Sequence, residues 1–237
     1  MYRDRTFLAI IPARGGSKGI PRKNLRLLAG KPLLAWTVEE AKKSQYIDRL
    51  ILSSEDAEII ALAKSLGCDV PFIRPAQLAR DETPGIEPVL HALQVLPEKY
   101  DYVVLLQPTS PLRRAKDIDE CIALCMNQGA CACVSVTEPA HHPYWMYELL
   151  PNGFLKPFMP KDKVPFRRQE LQPVYALNGA VYVACCDWLQ EKRTFLAEET
   201  VAFVMPPERS LDVDTELDLQ ICEFFLRLHS SMGTRIV

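Results

Sequence analysis

Short apolar runs alternate with longer segments of helical period, and this alternation constrains the fold more than any other feature of the chain. The continuous apolar runs at residues 7–11 and 102–106 predict strands that are buried on both faces. Helices are predicted at residues 55–66, 87–96 and 116–127. Right-handed crossovers between such strands give a doubly wound, mostly parallel α/β sheet. Ligands bind to such folds at the carboxyl ends of the strands.

Further apolar segments extend the same pattern. They predict strands at residues 49–52, 70–73, 130–136, 180–184 and 201–205, and helices at residues 32–46 and 215–228. No internal repeat or low-complexity linker interrupts the series. We therefore expect residues 1–237 to form a single domain.

Residues 138–175 depart from this pattern. Seven prolines fall between residues 138 and 173, and proline breaks helices and confines strands to edges. Aromatic side chains such as Trp145, Phe154 and Phe158 are interleaved with them, which a flexible linker would not carry. We interpret the segment as an extended arm that packs on a second subunit. A long lid packed on its own domain is the alternative.

Composition excludes several classes of protein. The 28 basic and 30 acidic residues give a net charge of -2, which lacks the basic excess of a nucleic-acid-binding protein. No apolar run approaches the roughly 18 residues that span a bilayer, and the first residues do not resemble a signal peptide. The eight cysteines form no C-x-x-C pair. These features predict a cytoplasmic protein with no membrane or nucleic-acid partner.

The loop after the first predicted strand combines glycines with positive charges. Its glycines are Gly15, Gly16 and Gly19, and its cations are Arg14, Lys18, Arg22 and Lys23. Exposed backbone amides and cations at a strand end bind polyanions such as a triphosphate, and Ser17 adds a hydroxyl. Lys18 is followed by Gly19 rather than by Ser or Thr, so the loop is not a P-loop. Its glycine spacing also differs from the dinucleotide fingerprint, which disfavours a dinucleotide-dependent oxidoreductase.

Two carboxylates stand two residues apart near the end of the chain. Asp212 and Asp214 point to the same side if the segment is extended. Paired carboxylates form a hard-oxygen site for Mg²⁺, which also binds substrate phosphates. Asp214 could instead cap the helix that begins near Thr215, and the two roles are compatible.

Several motifs, taken together in chain order, resemble one enzyme family. They are the loop IPARGGSKGIPRKN and the blocks GKPLL, RPAQLARD, LQPTSPLR, NGAVY and DVDTELDL. This set is similar to the cytidylyltransferases that activate acylneuraminates and related nonulosonic acids, and it spans nearly the whole chain. The resemblance implies a Rossmann-like nucleotidyltransferase fold and a homodimer whose arms reach into the partner's site. It also implies an Mg²⁺-dependent transfer of CMP from CTP to the anomeric hydroxyl of a nonulosonic acid.

The resemblance assigns roles to particular residues. Nucleotide contacts are implied for Ala13, Arg14, Gly15, Ser17, Lys18, Asn24, Arg74 and Asp81. Sugar contacts are implied for Gln107, Arg168, Asn178 and Tyr182, and Mg²⁺ binding for Asp212 and Asp214. Arg14, Lys18 and Asp212 are the expected catalytic residues. A surface ion pair remains the alternative for Arg74, a strand-end cap for Gln107, and a solvated basic pair with Arg167 for Arg168.

Two positions depart from the usual sialic-acid pattern. Trp145 and Ala176 stand where many members carry Lys and Arg. This less polar pattern favours N,N'-diacetyllegionaminate over N-acetylneuraminate as the acceptor. Another sugar nucleotidyltransferase, such as a 3-deoxy-manno-octulosonate cytidylyltransferase, and a non-catalytic nucleotide-binding protein are the alternatives to the proposed enzyme.

Overall fold

The computed structural model describes residues 2–159 and 167–233, with side chains described to residue 228. The strands are β1 (Phe7–Pro12), β2 (Leu27–Leu28), β3 (Lys31–Pro32), β4 (Arg49–Ser53), β5 (Tyr102–Leu105), β6 (Ala132–Thr137), β7 (Tyr147–Leu149), β8 (Leu155–Pro157), β9 (Ala176–Cys185) and β10 (Val201–Val204). The helices are α1 (Leu33–Lys43), α2 (Ala57–Ser65), α3 (Glu87–Val95), α4 (Ala115–Asn127), α5 (Cys186–Lys192) and α6 (Glu216–Gly233). In the described part of the chain, no helix is both long enough and apolar enough to cross a bilayer.

The central sheet has the strand order β10-β6-β9-β5-β1-β4. β1 pairs in parallel with β4 and β5, and β10 pairs in parallel with β6. β9 runs antiparallel between β5 and β6. The predicted mostly parallel α/β sheet is therefore confirmed. That the whole chain forms one domain stays a prediction.

Helices cover both faces of the sheet. Successive side chains of a strand point to opposite sides, so β1 contributes to the core on each face. Phe7 and Ile11 of β1 are fully buried in a core with residues of α1, α2 and α4. Leu8 and Ile10 are fully buried on the opposite face with residues of α3 and α5. This arrangement confirms the doubly wound architecture.

One predicted strand is wrong. Residues 70–73 form no ladder, and Asp69 alone makes an isolated parallel bridge with Ile51. Pro71 has no N–H group to donate to a ladder, so the pairing stops there. β4 is consequently an edge strand of the sheet.

The predicted arm carries a small antiparallel hairpin, β7–β8. Its apolar side chains are not packed on their own domain: Leu149, Phe154 and Phe158 are 72%, 70% and 69% exposed. This exposure disfavours a lid that packs on its own domain. Residues 160–166 of the arm lie outside the described residues, and the homodimer stays a prediction.

Candidate active site

The loops after β1 and β5 line a cavity of about 300 Å³. β1 pairs with β4 on one side and with β5 on the other, so the chain reverses its winding direction between β1 and β5. Such a switch point opens a crevice at the carboxyl ends of the strands. The predicted site residues that line it are Arg14, Ser17, Asn24, Arg74, Asp81 and Gln107. The topology thus gathers residues from distant parts of the chain.

Two glycines let the loop after β1 approach other segments closely. A Cβ atom on Gly15 would lie 2.5 Å from Oδ2 of Asp56 at the start of α2. A Cβ atom on Gly19 would lie 2.2 Å from the carbonyl oxygen of Asp214. Real Cβ contacts are essentially never this short, so a side chain at either position would force the neighbouring segment to move. The second contact brings the cationic loop against the acidic segment, although 195 residues separate them in the sequence.

The two predicted catalytic cations share one carboxylate. Arg14 Nη1 lies 2.6 Å from Asp81 Oδ1, and Lys18 Nζ lies 3.2 Å from Asp81 Oδ2. The hydrogen bonds from Lys18 and Arg14 lower the pKa of Asp81. Asp81 therefore pairs with the two cations that the sequence predicts to hold phosphates. It holds Arg14, which lines the cavity, and the exposed Lys18 close to each other.

The other two cations of the loop, Arg22 and Lys23, pair with different carboxylates. Arg22 forms a two-point ion pair with Asp56, the N-cap residue of α2, and this hydrogen bonding lowers the pKa of Asp56. Lys23 Nζ donates to Asp214 Oδ1 and to the carbonyl oxygen of Val213, each at 2.8 Å. Arg22 thus fixes the loop to α2, whereas Lys23 fixes it to the acidic segment.

Arg74 and Asn24 line the cavity with buried polar atoms that lack partners. Arg74 is 3% exposed, and its guanidinium donates to Glu55 at 2.6 Å. This is a buried ion pair, not the surface pair considered from the sequence. Arg74 Nε and Asn24 Oδ1 make no hydrogen bond. Buried groups of this kind need a partner, and a bound nucleotide can supply one.

Several predicted nucleotide contacts are already engaged within the protein. The N–H of Gly15 donates to Glu55 at 2.7 Å, and the N–H of Ala13 donates to the Ser53 carbonyl oxygen at 3.0 Å. The Ala13 side chain is buried in the core. Those two amides are therefore not free for phosphate in this structure. Ser17 faces the cavity.

Asp212 and Asp214 lie beside the cavity. Thr109, which lines the cavity, hydrogen-bonds to the Asp212 side chain. Asp212 is exposed at the surface. Nearby protein atoms nevertheless exclude some water from its carboxyl group, which raises its pKa, and the negative charge of Asp214 raises it further. Burial raises the pKa of Tyr182, and the negative charge of Asp212 raises it further.

The donor set fits a hard divalent cation that also binds phosphate. Within the described residues, no group of three or more His, Cys, Asp or Glu side chains is arranged to hold a metal ion. Asp212 and Asp214, whose charges interact, are therefore the candidate pair of ligands at this place. Mg²⁺ commonly takes one or two carboxylates and fills its remaining positions with water and substrate phosphates. A cation would also reduce the repulsion between the Asp212 and Asp214 carboxylates.

The capping alternative for Asp214 is not seen. The side chain of Asp218 accepts the N–H groups of Asp214 and Thr215, at 3.1 and 2.7 Å. The Asp214 carboxylate faces Lys23 instead.

Three of the four predicted sugar-binding residues, Gln107, Asn178 and Tyr182, occupy different settings. The Gln107 side chain packs on Gly179, where a Cβ would lie 3.3 Å from its amide atoms, and it faces the cavity. The Tyr182 ring packs on Phe195. Asn178 is 5% exposed, and both ends of its amide bond to protein atoms. Asn178 thus lies beneath the site rather than on its surface.

Arg168 lies away from these residues. It lines a separate cavity of about 160 Å³ with residues of the arm, where it donates to the Pro139 carbonyl oxygen at 3.1 Å and pairs with Glu138. Its side chain is 59% exposed. Within this chain, Arg168 does not meet the cavity that holds Arg14 and Gln107.

Comparison with known proteins agrees with this geometry. A cytidylyltransferase family model matches residues 8–149. The CMP-N,N'-diacetyllegionaminic acid synthase of Legionella pneumophila is 34% identical over 94% of this chain and 97% of its own length. The chain belongs to the CMP-nonulosonate synthetase family. It is thus a nucleotidyltransferase, and the resemblance inferred from the motifs is confirmed.

Two further likenesses define the limits of that assignment. An N-acylneuraminate cytidylyltransferase of Escherichia coli is 33% identical over 90% of this chain, which spans 50% of that relative's length. A solved CMP:2-keto-3-deoxy-manno-octonic acid synthetase, complexed with CTP, superposes with a TM-score of 0.70 at 16% identity, covering 94% of this chain and 99% of that one. The second likeness shows that the chain shares the fold of that synthetase.

Sequence reasoning missed two residues that complete the site of this cytidylyltransferase. Thr109 bonds to Asp212, and its position in the Gln-Pro-Thr-Ser-Pro block offered a signal. Glu55 joins the Gly15 amide to Arg74. It stands shortly after β4, where a carboxyl-end loop enters the crevice. Both roles were established by the tertiary contacts.

Proposed function

We propose that this enzyme transfers CMP from CTP to the anomeric C2 hydroxyl of a nonulosonic acid and releases pyrophosphate. One observation supports the proposal above all others. The cationic loop touches the acidic segment through Gly19 and Lys23, at the mouth of a cavity at the switch point. A single bound triphosphate can reach cations and carboxylates only in such an arrangement.

The loop is proposed to hold the leaving pyrophosphate. Arg14 and Lys18 bind the β- and γ-phosphates once the nucleotide replaces Asp81 as their counter-charge. Arginine gives two parallel hydrogen bonds to such oxygens. Arg74 and Asn24 contact the nucleoside portion through their unpartnered buried atoms. Ser17, Gly15 and Ala13 border the phosphates.

Mg²⁺ is the proposed cation of Asp212 and Asp214. When bound, it supplies charge neutralisation for the departing pyrophosphate. The two residues orient the nucleotide, and Thr109 holds Asp212 in place. Phosphoryl-group chemistry of this kind depends chiefly on positioning and electrostatics.

The sugar is proposed to enter beside Gln107 and Tyr182. Its carboxylate needs a cation, and Arg168 is the proposed partner, delivered from the arm of a second subunit. The exposed hairpin residues Phe154 and Phe158 support such a homodimer, because a large exposed apolar surface marks an interaction site. The apolar residues Trp145 and Ala176 favour N,N'-diacetyllegionaminate, as does the named relative from Legionella. A cytoplasmic location stays a prediction.

Pyrophosphate release tests this function. The purified enzyme is mixed with CTP and Mg²⁺ and with N,N'-diacetyllegionaminic, N-acetylneuraminic or 3-deoxy-manno-octulosonic acid in turn. We expect the highest kcat/KM with the legionaminic acid. A strong preference for neuraminate contradicts the assigned sugar, and no release with any acid contradicts the function. A preference for the eight-carbon acid supports the alternative enzyme.

The same assay tests Asp212. Asp212→Asn keeps the size of the side chain and removes its charge, so we expect turnover to fall by about 10²-fold or more. Asp187→Asn is the matched control. Asp187 is exposed at the start of α5, which follows the end of β9 that is farther from Asn178. Near-normal turnover of Asp212→Asn would remove Asp212 from the mechanism.

A further inference from the structure

A buried ion pair lies behind the acidic segment. Nε and Nη2 of Arg209 donate to both carboxylate oxygens of Asp117 at 2.8 to 3.2 Å. The Asp117 side chain is 0% exposed, in the first turn of α4, and it also accepts the N–H of Arg114 at 2.9 Å. The pair fixes the turn Pro207–Arg209 to α4. Neither residue lines the nucleotide cavity.

The next residue has a second attachment. Ser210 Oγ accepts a hydrogen bond from Asn178 Nδ2 at 3.0 Å and donates to the Pro206 carbonyl oxygen at 2.9 Å. Asn178 Oδ1 accepts from Ser135 Oγ at 2.6 Å and from the Ala180 N–H at 3.1 Å. Asn178 therefore ties Ser210 to the irregular junction of β6 and β9.

Asp212 is held between these attachments and a third one. The Val213 N–H donates to the Thr109 carbonyl oxygen at 2.8 Å, and the Val213 side chain is fully buried. Asp212 follows Arg209 by three positions, a span of at most about 11 Å of extended chain. The backbone at Asp212 is thus held on both sides, by Arg209 and Ser210 before it and by Val213 after it.

A buried ion pair is weak evidence for stability, because desolvating its charges offsets their attraction. Residues behind the ligands of a metal, by contrast, set the orientation of those ligands. We propose that Arg209, paired with Asp117 and supported by the Asn178–Ser210 bond, is a positioning residue that places Asp212 for the cation–nucleotide complex. This inference rests on the proposed function. It also assigns Asn178 a role beneath the site instead of direct contact with sugar.

Direct binding of Mn²⁺ tests the proposal without turnover. Free Mn²⁺ is followed by its electron paramagnetic resonance signal during titration of the intact enzyme with CTP and no sugar. Loss of such a supporting residue weakens metal affinity by about 10- to 100-fold, and we expect this for Arg209→Met. Arg209→Lys should recover part of the loss. Arg49→Met is the matched control, because Arg49 also pairs with carboxylates at similar exposure, 24% against 23%, but at the start of β4.

The outcomes separate a positioning role from a structural one. A purely structural residue would lower the melting temperature and leave the Mn²⁺ affinity of the folded protein unchanged, which overturns the proposal. If Arg209→Met does not fold, Ser210→Ala decides the matter, since it removes one tether and keeps both charges. Weakened Mn²⁺ binding then supports the proposal, and unchanged binding overturns it.

Asp212→Asn in the same titration distinguishes the two hypotheses. If Asp212→Asn weakens Mn²⁺ binding but Arg209→Met and Ser210→Ala do not, the positioning role alone is wrong. If Asp212→Asn leaves binding unchanged, the proposed cation site itself is wrong, and the positioning role fails with it.

Discussion

A single methyl group at Gly19 tests whether the loop and the acidic segment must touch. In Gly19→Ala the new Cβ would lie 2.2 Å from the carbonyl oxygen of Asp214. Close carbon–oxygen contacts in proteins are about 3.3 Å, so one segment must move by roughly 1 Å. The obstacle is backbone, which cannot rotate away as a side chain can. The Lys23–Asp214 hydrogen bond at 2.8 Å would be disturbed by the same shift.

The expected cost lies in catalysis more than in stability. A misplacement of about 1 Å can cost about 10²-fold in rate, so we expect kcat to fall by roughly that factor. Pyrophosphate release at saturating CTP and sugar measures the effect, and thermal unfolding shows that the variant is folded. Gly16→Ala adds the same methyl group to the same loop, where no protein atom beyond the two chain neighbours lies within 4 Å. We expect it to retain most of its kcat at saturating CTP.

The result that would refute this reasoning is simple to recognise. If folded Gly19→Ala turns over as fast as Gly16→Ala, the close contact between the loop and Asp214 has no catalytic role. The convergence that supports the proposed function would then be incidental to it.

Three other predictions concern stability and assembly. Arg22 lowers the folded-state pKa of Asp56, so the ionised Asp56 stabilises the fold above its unfolded pKa of about 3.9, and this stabilisation is lost as pH falls through the lower folded value. The difference in melting temperature between wild type and Asp56→Asn should therefore shrink from pH 6 to pH 3. A constant difference contradicts this prediction. Leu34→Ala, at a fully buried position, should lower the free energy of unfolding by about 2–5 kcal/mol in denaturant titrations, whereas Leu217→Ala, at a position 63% exposed, should change it by about 0.5 kcal/mol or less. Phe154→Ser should weaken self-association in sedimentation if the hairpin is an interface, and an unchanged state would argue against the arm exchange.

Much of the fold was predictable because its signals are local. Continuous apolar runs at β1 and β5 can be buried only in a sheet covered on both faces. The motifs in chain order were enough to indicate the family, which the comparisons confirm. The prediction failed at residues 70–73, where apolar character alone could not show that Pro71 ends the pairing.

The site was predictable only in part. The sequence shows which residues are cationic or acidic. It does not show which of them form ion pairs, because pairing depends on distances between remote segments. Asp81 pairs with Arg14 and Lys18, and Arg22 pairs with Asp56 instead of facing the cavity. Asn178 belongs to a motif that predicts sugar binding, yet both ends of its side-chain amide form hydrogen bonds with other protein residues.

The sequence by itself determined the type of sheet, the chemistry of the glycine loop and the family, because these follow from periodicity, residue type and motif order within short windows. Only the tertiary structure decided that Gly19 touches Asp214, and that Arg209 is buried against Asp117 behind Asp212. Those contacts join residues 92 to 195 positions apart. Their existence depends on strand order and crossover direction, which no local pattern of residues specifies.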